Sequence, residues 1–470
     1  MMANTAKLKI RRSRSSKTAP PQSDRVRVLT SISNTMQEFR TRQGALDAAW
    51  RWGGSTVSNY STLPTPPSPP SQSSLIEGIL DTSFGTNGFN LTTPGTNDWA
   101  TGMAIQLDDK IVAGGNATMA GASGFCLVRY NSNGSIDTTF GTNGFNTNTT
   151  GTNAGITGVA VQPDGKIVVG GTSDDVSGNT GFAFARYNPD GSLDTTFGTA
   201  GFVTGNYGTS IPSTYINALI LQPDGKILAC GSIDDTFFMG RYNPDGSLDP
   251  TFGTNGYTTV TPGTSDVLYR MRLQSDGKIV AGGYSSNVAG NTAFAIIRYN
   301  SNGSLDTAFG TNGFNTTTLN TGDSIYALGI QQDGKIVVGG YTGPISGSSD
   351  SFALARYNSN GSLDTSFGSG GFNKVTPGTD DGIAGIVIRP DGKIIAGGWA
   401  GVSSGTAFAV VGYNLDGSLD TSFGKDGFNL DTPGNSDSIY ALSSQSNGKI
   451  IAVGYYSPGT GSTFVVCRYI

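Results

Sequence analysis

Histidine is missing from all 470 residues, which removes the commonest general base and the commonest metal ligand. Cysteine is scarce: Cys126, Cys230 and Cys467 make an odd count, each within an expected strand, and read as buried free thiols rather than a disulfide framework. No apolar run approaches the roughly 18 residues of a membrane span. The first 30 residues are basic and have no apolar stretch of the secretory kind, so no signal peptide is expected. From residue 80 onward no helical period occurs, which excludes helical solenoids. No nucleophile motif is found. Charged residues are only 13% of the chain and unevenly spread: residues 1–52 carry a net +8 within a chain of net −5, leaving −13 for the rest. Such a split suggests a basic arm on an acidic body.

What the chain has in quantity is glycine, 70 residues, placed beside apolar runs as turn residues are. Two phrases organise it. Leu80-Asp81-Thr82-Ser83-Phe84-Gly85 returns six more times, with its Phe at 140, 197, 252, 309, 367 and 423, at spacings of 55 to 58 residues. Between the copies runs a second phrase, as in Gln162-Pro163-Asp164-Gly165-Lys166-Ile167-Val168-Val169-Gly170-Gly171. A fixed period of this size marks a solenoid, a propeller or an array. Within 155–203, Ile156–Gln162 and Ile167–Gly171 read as two strands joined by an Asp-Gly turn of the primed type. Phe182–Asn188 reads as a third strand and Leu193–Gly198 as a fourth. Four short antiparallel strands per repeat make a propeller blade. The expectation is all-β: a seven-bladed β-propeller over 80–470. The ordered region begins on a lone fourth-strand phrase and ends on a third strand, Phe464–Tyr469, so residues 80–85 are expected to pair with 464–469 and close the ring. That pairing would also cover an aggregation-prone edge.

Arg186-Tyr187-Asn188-Pro189-Asp190-Gly191-Ser192-Leu193-Asp194-Thr195-Thr196-Phe197-Gly198, together with the Pro163–Gly171 phrase, resembles the delta-sixty repeat family of β-propellers and, more distantly, NHL-repeat blades. The resemblance covers 80–470. It implies the fold and no activity or cofactor, and many members look secreted or surface-attached.

A motif in every repeat builds the repeat, so function is sought where the copies disagree. The segment Asn188–Asp194 has spaced oxygens but too few carboxylates for a calcium loop, and no metal site, cofactor or catalytic residue is assigned. The Asp of the first phrase (81, 137, 194, 249, 306, 364, 420) is expected to cap backbone N–H groups or pair with the third-strand Arg (129, 186, 241, 298, 356, 468), which Gly412 replaces once. In the first strand of each blade, two aligned positions hold Ala104, Ala160, Ile220, Arg272, Gly329, Val387, Ser443 and Gly102, Gly158, Ala218, Arg270, Ala327, Gly385, Ala441. Arg270 and Arg272 alone break the small or uncharged pattern on the strand expected to line the channel, either as an anion or carboxylate contact or as a solvated or ion-paired local change. The variable loops carry Asp98, Asp174, Asp175, Asp234, Asp235, Asp266, Asp323, Asp380, Asp381 and Asp437. They read as a solvated loop face, or as an acidic surface for a protein or glycan ligand, including a cationic partner such as the chain's own arm.

Residues 1–60 are expected to form a basic arm (Lys7, Lys9, Arg11, Arg12, Arg14) and an amphipathic helix over about 36–52 with Met36, Phe39, Leu46 and Trp50 on one stripe. That helix needs a partner, its own copies, a membrane surface, or the propeller itself. Residues 61–79 are a Pro/Ser-rich spacer whose 61–74 stretch spans about 40 Å. Arm, helix, spacer and head together suggest a non-catalytic binding or structural module, surface- or virion-associated in one version. The alternatives are a propeller glycosidase or lyase, which needs two converging carboxylates, and a nucleic-acid-associated protein acting through the arm.

Overall fold

The computed structural model describes residues 77–470 except 120, 150, 152, 175–179, 206–213, 345–348 and 460. The expected arm, the helix over 36–52 and the spacer to residue 76 lie outside the described residues. So do Lys7, Lys9, Arg11, Arg12, Arg14, Met36, Phe39, Leu46, Trp50 and Asp175.

Short β-branched and apolar runs bounded by Gly- and Asp-bearing turns make strands, and among the described residues there are no helices. A lone strand, β1 (Phe89–Thr92), comes first. Antiparallel four-stranded sheets follow in chain order. The first is β2 (Asp98–Ile105), β3 (Ile111–Met119), β4 (Ala122–Tyr130) and β5 (Phe145–Asn148). The second is β6 (Ala154–Val161), β7 (Ile167–Asp174), β8 (Thr180–Tyr187) and β9 (Phe202–Gly205). The third is β10 (Thr214–Leu221), β11 (Ile227–Ile233), β12 (Thr236–Tyr242) and β13 (Tyr257–Val260), and the fourth β14 (Asp266–Leu273), β15 (Ile279–Ser286), β16 (Thr292–Tyr299) and β17 (Phe314–Thr317). Then come β18 (Gly322–Ile330), β19 (Ile336–Gly343), β20 (Ser351–Tyr357) and β21 (Phe372–Val375), followed by β22 (Asp381–Ile388), β23 (Ile394–Val402), β24 (Gly405–Tyr413) and β25 (Phe428–Asp431). The last three strands are β26 (Ser436–Ser444), β27 (Ile450–Ser457) and β28 (Thr463–Tyr469). Their fourth partner is β1, with Phe89 opposite Cys467 and Thr92 opposite Phe464.

The fourth strand is therefore not where the sequence placed it. The expected pairing is present only at its start, where Leu80 bridges Tyr469 and Asp81 N donates to Arg468 O at 2.7 Å, and residues 82–85 are turn. Asp81 Oδ1 accepts hydrogen bonds from Ser83 N (3.1 Å) and Oγ (2.6 Å), and Gly85 is left-handed at φ 54°. An Asx cap and a left-handed glycine curl the chain and drop Phe84 into the core before the strand begins at Phe89. The same holds for Leu193–Gly198, which precedes β9. The hairpin at Gln162–Lys166 also differs from expectation. Gly165 is left-handed (φ 84°) while Asp164 is not, so the turn is not of the primed type.

The core lies between facing sheets, as in the cluster of Val168, Phe184 and Phe197 with Ile216, Ile227 and Phe238. The three cysteines are free and buried. Each phrase Asp except Asp420, whose third-strand partner position is Gly412, also rivets sheet to sheet through an arginine. Arg186 Nε donates to Asp194 Oδ2 at 2.7 Å, its Nη1 to the Pro244 carbonyl of the next sheet at 2.6 Å, and Lys166 Nζ to Asp194 at 2.9 Å. The guanidinium sits 4.9 Å over the Phe197 ring. Burial alone would raise the Asp194 carboxyl, but hydrogen bonds from Thr196, Lys166 and Arg186 outweigh it and hold it well below the usual carboxylate range.

Candidate functional site

In every first strand the register slips by one residue, for example between Ala100 and Gly102 in β2 and between Leu268 and Arg270 in β14. The bulge residues are Thr101, Thr157, Asn217, Tyr269, Tyr326, Ala384 and Tyr440. A bulge re-aims its side chain. Three of these seven reach the neighbouring sheet's backbone: Thr101 donates to Ile156 O, Thr157 to Ile216 O at 2.6 Å, and Asn217 to Leu268 O at 2.9 Å.

Just past the bulges the first strands enclose a cavity of about 130 Å³. Small or aliphatic residues (Gly102, Gly158, Ala218, Ala327, Gly385, Ala441) make much of its wall, with Thr101, Thr157 and Tyr440 among them, and its charged residues are Arg270 and Arg272. Arg270 Nη1 donates to the carbonyls of Tyr269 (2.8 Å) and Asn217 (3.4 Å), and Nη2 reaches Tyr440 O at 3.5 Å. Arg272 Nη1 donates to Met271 O at 3.0 Å, and its buried Nε has no partner. Neither has a carboxylate partner among the described residues, and no Asp or Glu lines the cavity. Burial lowers the Arg270 pKa. Burial, and then the neighbouring Arg270 charge, bring Arg272 down to about 10. Both remain cations at neutral pH, as an arginine does in proteins, and both are half-buried, where a charge interacts more strongly than in bulk water. Such a site favours an anion.

The candidate aspartates are not brought together. Asp381 is fully buried at the head of β22, as are Asp98, Asp266, Asp323 and Asp437 at the corresponding positions, which corrects their assignment to a solvated loop face. The preceding loop folds over them: Gly378 N donates to Asp381 Oδ2 at 3.0 Å and Gly95 N to Asp98 Oδ2 at 2.8 Å. Burial raises the Asp381 pKa to about 6 against those hydrogen bonds, with Asp380 and Asp350 adding repulsion. Asp380 is half-buried beside it, and Asp174 is half-buried at the end of β7, taking a 3.0 Å bond from Asn153. Asp234 and Asp235 are exposed in a left-handed turn (φ 45° and 61°) between β11 and β12.

Sequence reasoning missed an aromatic group. Tyr269, Tyr326 and Tyr440 occupy bulge positions, and Tyr284, Tyr341, Trp399 and Tyr455 follow the glycine at the middle of the second strand, where other repeats have Asn116, Thr172 and Ser232. Ring centroids lie 4.4 Å apart for Tyr269–Tyr326, 5.8 Å for Tyr326–Tyr341, 6.5 Å for Tyr326–Trp399 and 5.8 Å for Tyr440–Tyr455. Trp99, 45% exposed, stands 5.8 Å from Tyr455. Comparing those two positions across the repeats would have exposed the group.

Six segments, 106–140, 162–197, 222–252, 274–309, 331–367 and 389–423, match the family model described as a domain of unknown function (DUF5122) beta-propeller. No curated protein matches the sequence. Among solved structures, the chain is similar to Sqt1 of Chaetomium thermophilum at 12% identity, covering 81% of this chain and 97% of that one, with a TM-score of 0.44. It is similar to polysaccharide lyase Uly1 at 11% identity, covering 85% and 94%, with a TM-score of 0.44. A third is an α-L-arabinofuranosidase of Fusarium graminearum at 10% identity, covering 83% and 98%, with a TM-score of 0.41. No helix among the described residues is long and apolar enough to cross a membrane. The six family-model matches support a β-propeller family, one whose description gives a fold and no activity.

Proposed function

We propose that the chain is a seven-bladed propeller that acts as a non-catalytic binding module and holds an anionic group of its ligand between Arg270 and Arg272. The seven-blade reading is supported by seven first strands lining one cavity, by the packing of β26 against β2, and by the pairing of β1 with β28. The repeat that the family model leaves unmatched is the one divided between the two ends of the described chain, 445–470 and 77–84. The observation that carries the binding reading is the pair of half-buried guanidiniums in a cavity without a carboxylate, whose hydrogen bonds go to backbone carbonyls and leave the two positive charges without a counter-charge. A hydrolase or lyase acting in this cavity would need carboxylates converging there, and none lines it; the other reading, a glycosidase or lyase with its carboxylates on the loop face, is separate from this site. The basic N-terminal segment serves as the tether in this reading, from its charge of +8 and the proline-rich spacer behind it. The test is titration with inorganic sulfate, wild type against the Arg270→Gln/Arg272→Gln double variant. Saturable binding lost in the double variant, with its melting curve retained, is expected. Equal binding by both proteins would overturn the site.

A further inference from the structure

The cavity and the aromatic group are parts of one mouth. Tyr269 is the neighbour of Arg270, Tyr440 lines the cavity and gives its carbonyl to the Arg270 fork, and the Tyr326 ring lies 4.4 Å from that of Tyr269. The mouth is two-sided. One arc carries Tyr269, Tyr326, Tyr341, Trp399, Tyr440 and Tyr455, all half-buried, and the facing arc carries Thr101, Thr157 and Asn217. A cavity of about 130 Å³ has room for one small anionic group, so the body of a larger ligand must remain among the rings.

We infer that the ligand is an acidic saccharide, its carboxylate or sulfate seated at Arg270 and Arg272 and its sugar rings lying on the tyrosine arc. The inference rests on the proposed anion site and names its ligand class. A pyranose has an apolar C–H face and a hydroxyl rim, which suits a surface of amphipathic rings facing hydroxyl and amide side chains. A peptide strand fits worse, because the carbonyls it would use are occupied. Those of Asn217, Tyr269 and Tyr440 accept from Arg270, and those of Ile156, Ile216 and Leu268 accept from Thr101, Thr157 and Asn217. The same rings left half-exposed with no ligand would be a standing apolar patch.

The experiment titrates the whole chain with tetragalacturonate, with the neutral tetrasaccharide of galactose, with an acidic tetrapeptide of glutamate, and with inorganic sulfate. It follows heat and intrinsic tryptophan fluorescence, with Trp50→Phe and Trp52→Phe made in every protein so that Trp99 and Trp399 report. Wild type, Tyr326→Leu/Tyr440→Leu and Arg270→Gln/Arg272→Gln are compared, with Tyr326→Phe/Tyr440→Phe as a variant that keeps the rings. The expected result is binding of tetragalacturonate at least tenfold tighter than of the other three probes. Each of the Leu and Gln pairs should weaken it tenfold or more, and the Phe pair should retain most of it. Sulfate binding that survives the Leu pair, with no preference for tetragalacturonate, overturns the saccharide inference and leaves the anion site standing. Tetraglutamate binding as tight as tetragalacturonate also overturns it, in favour of an acidic peptide. Loss of all anion binding dependence on the arginines overturns both.

Discussion

Arg389 and Glu77 form a 2.6 Å ion pair across 312 residues of chain, at the one place where the repeat is interrupted. In other repeats the position of Arg389 is a glutamine, and in three of them its side chain accepts from the third-strand arginine, as Gln445 does from Arg468 at 3.2 Å. In this repeat the third-strand residue is Gly412, and a side chain there would run into the Phe423 ring. The arginine has in effect moved from β24 to the end of β22. Elsewhere the third-strand Arg binds a carbonyl in the next sheet's turn, as Arg356 does that of Leu415 at 2.6 Å. Here that turn is divided between Ile470 and Glu77, and Glu77 supplies a carboxylate side chain and, to Gly424 N, a carbonyl at 2.6 Å.

Removing residues 1–76 is expected to leave the melting temperature nearly unchanged, whereas removing 1–92 also deletes β1 and uncovers the edge of β28. A fall of several degrees for the longer truncation alone, with concentration-dependent aggregation, is the predicted outcome by circular dichroism and light scattering. Glu77→Gln by itself should cost little, about 0.5 kcal/mol, because the pair is part-exposed.

The rivets should matter more. Asp194→Ala leaves Arg186 buried without its partner and is expected to cost about 3–5 kcal/mol in urea unfolding. Gly412→Arg, which restores the repeat residue, should destabilise instead of helping, because Phe423 occupies the space and the receiving turn is interrupted.

How far the fold was legible can be read from three places. The two recurring phrases marked the repeats because the same strands, turns and rivets are rebuilt each time. The phrase Leu80–Gly85 read as a strand because its apolar residues are spaced like one, and only the Asp81 cap and left-handed Gly85 show why it turns. Thr376-Pro377-Gly378-Thr379-Asp380-Asp381 read as a polar loop because composition cannot show that Gly378 N folds back to bury Asp381. In the site, Arg270 and Arg272 stood out as charges among small residues. The tyrosines did not, since each alone is an ordinary strand residue and only an aligned comparison of their positions across the repeats sets them apart.

Stability should have a pH dependence on both sides of a narrow optimum. Asp381 holds its proton more tightly folded than unfolded, so stability declines as pH rises through the window from about 4 to about 6. The phrase aspartates, such as Asp194 and Asp249, are held low in the fold, so their contribution is lost as pH falls below about 4. Urea titrations from pH 3 to 8 check both limbs, and Asp381→Asn should reduce the upper one, to which Asp98, Asp266, Asp323 and Asp437 also contribute, without altering the lower.

Anomalous diffraction from crystals soaked in selenate tests the anion site in the first-strand cavity most directly. The account predicts a selenium peak inside the cavity, within hydrogen-bonding distance of Arg270 and Arg272, that disappears in the Arg270→Gln/Arg272→Gln protein. Selenate found only at surface lysines, with the two guanidiniums still turned to the carbonyls of Tyr269 and Met271, would contradict it.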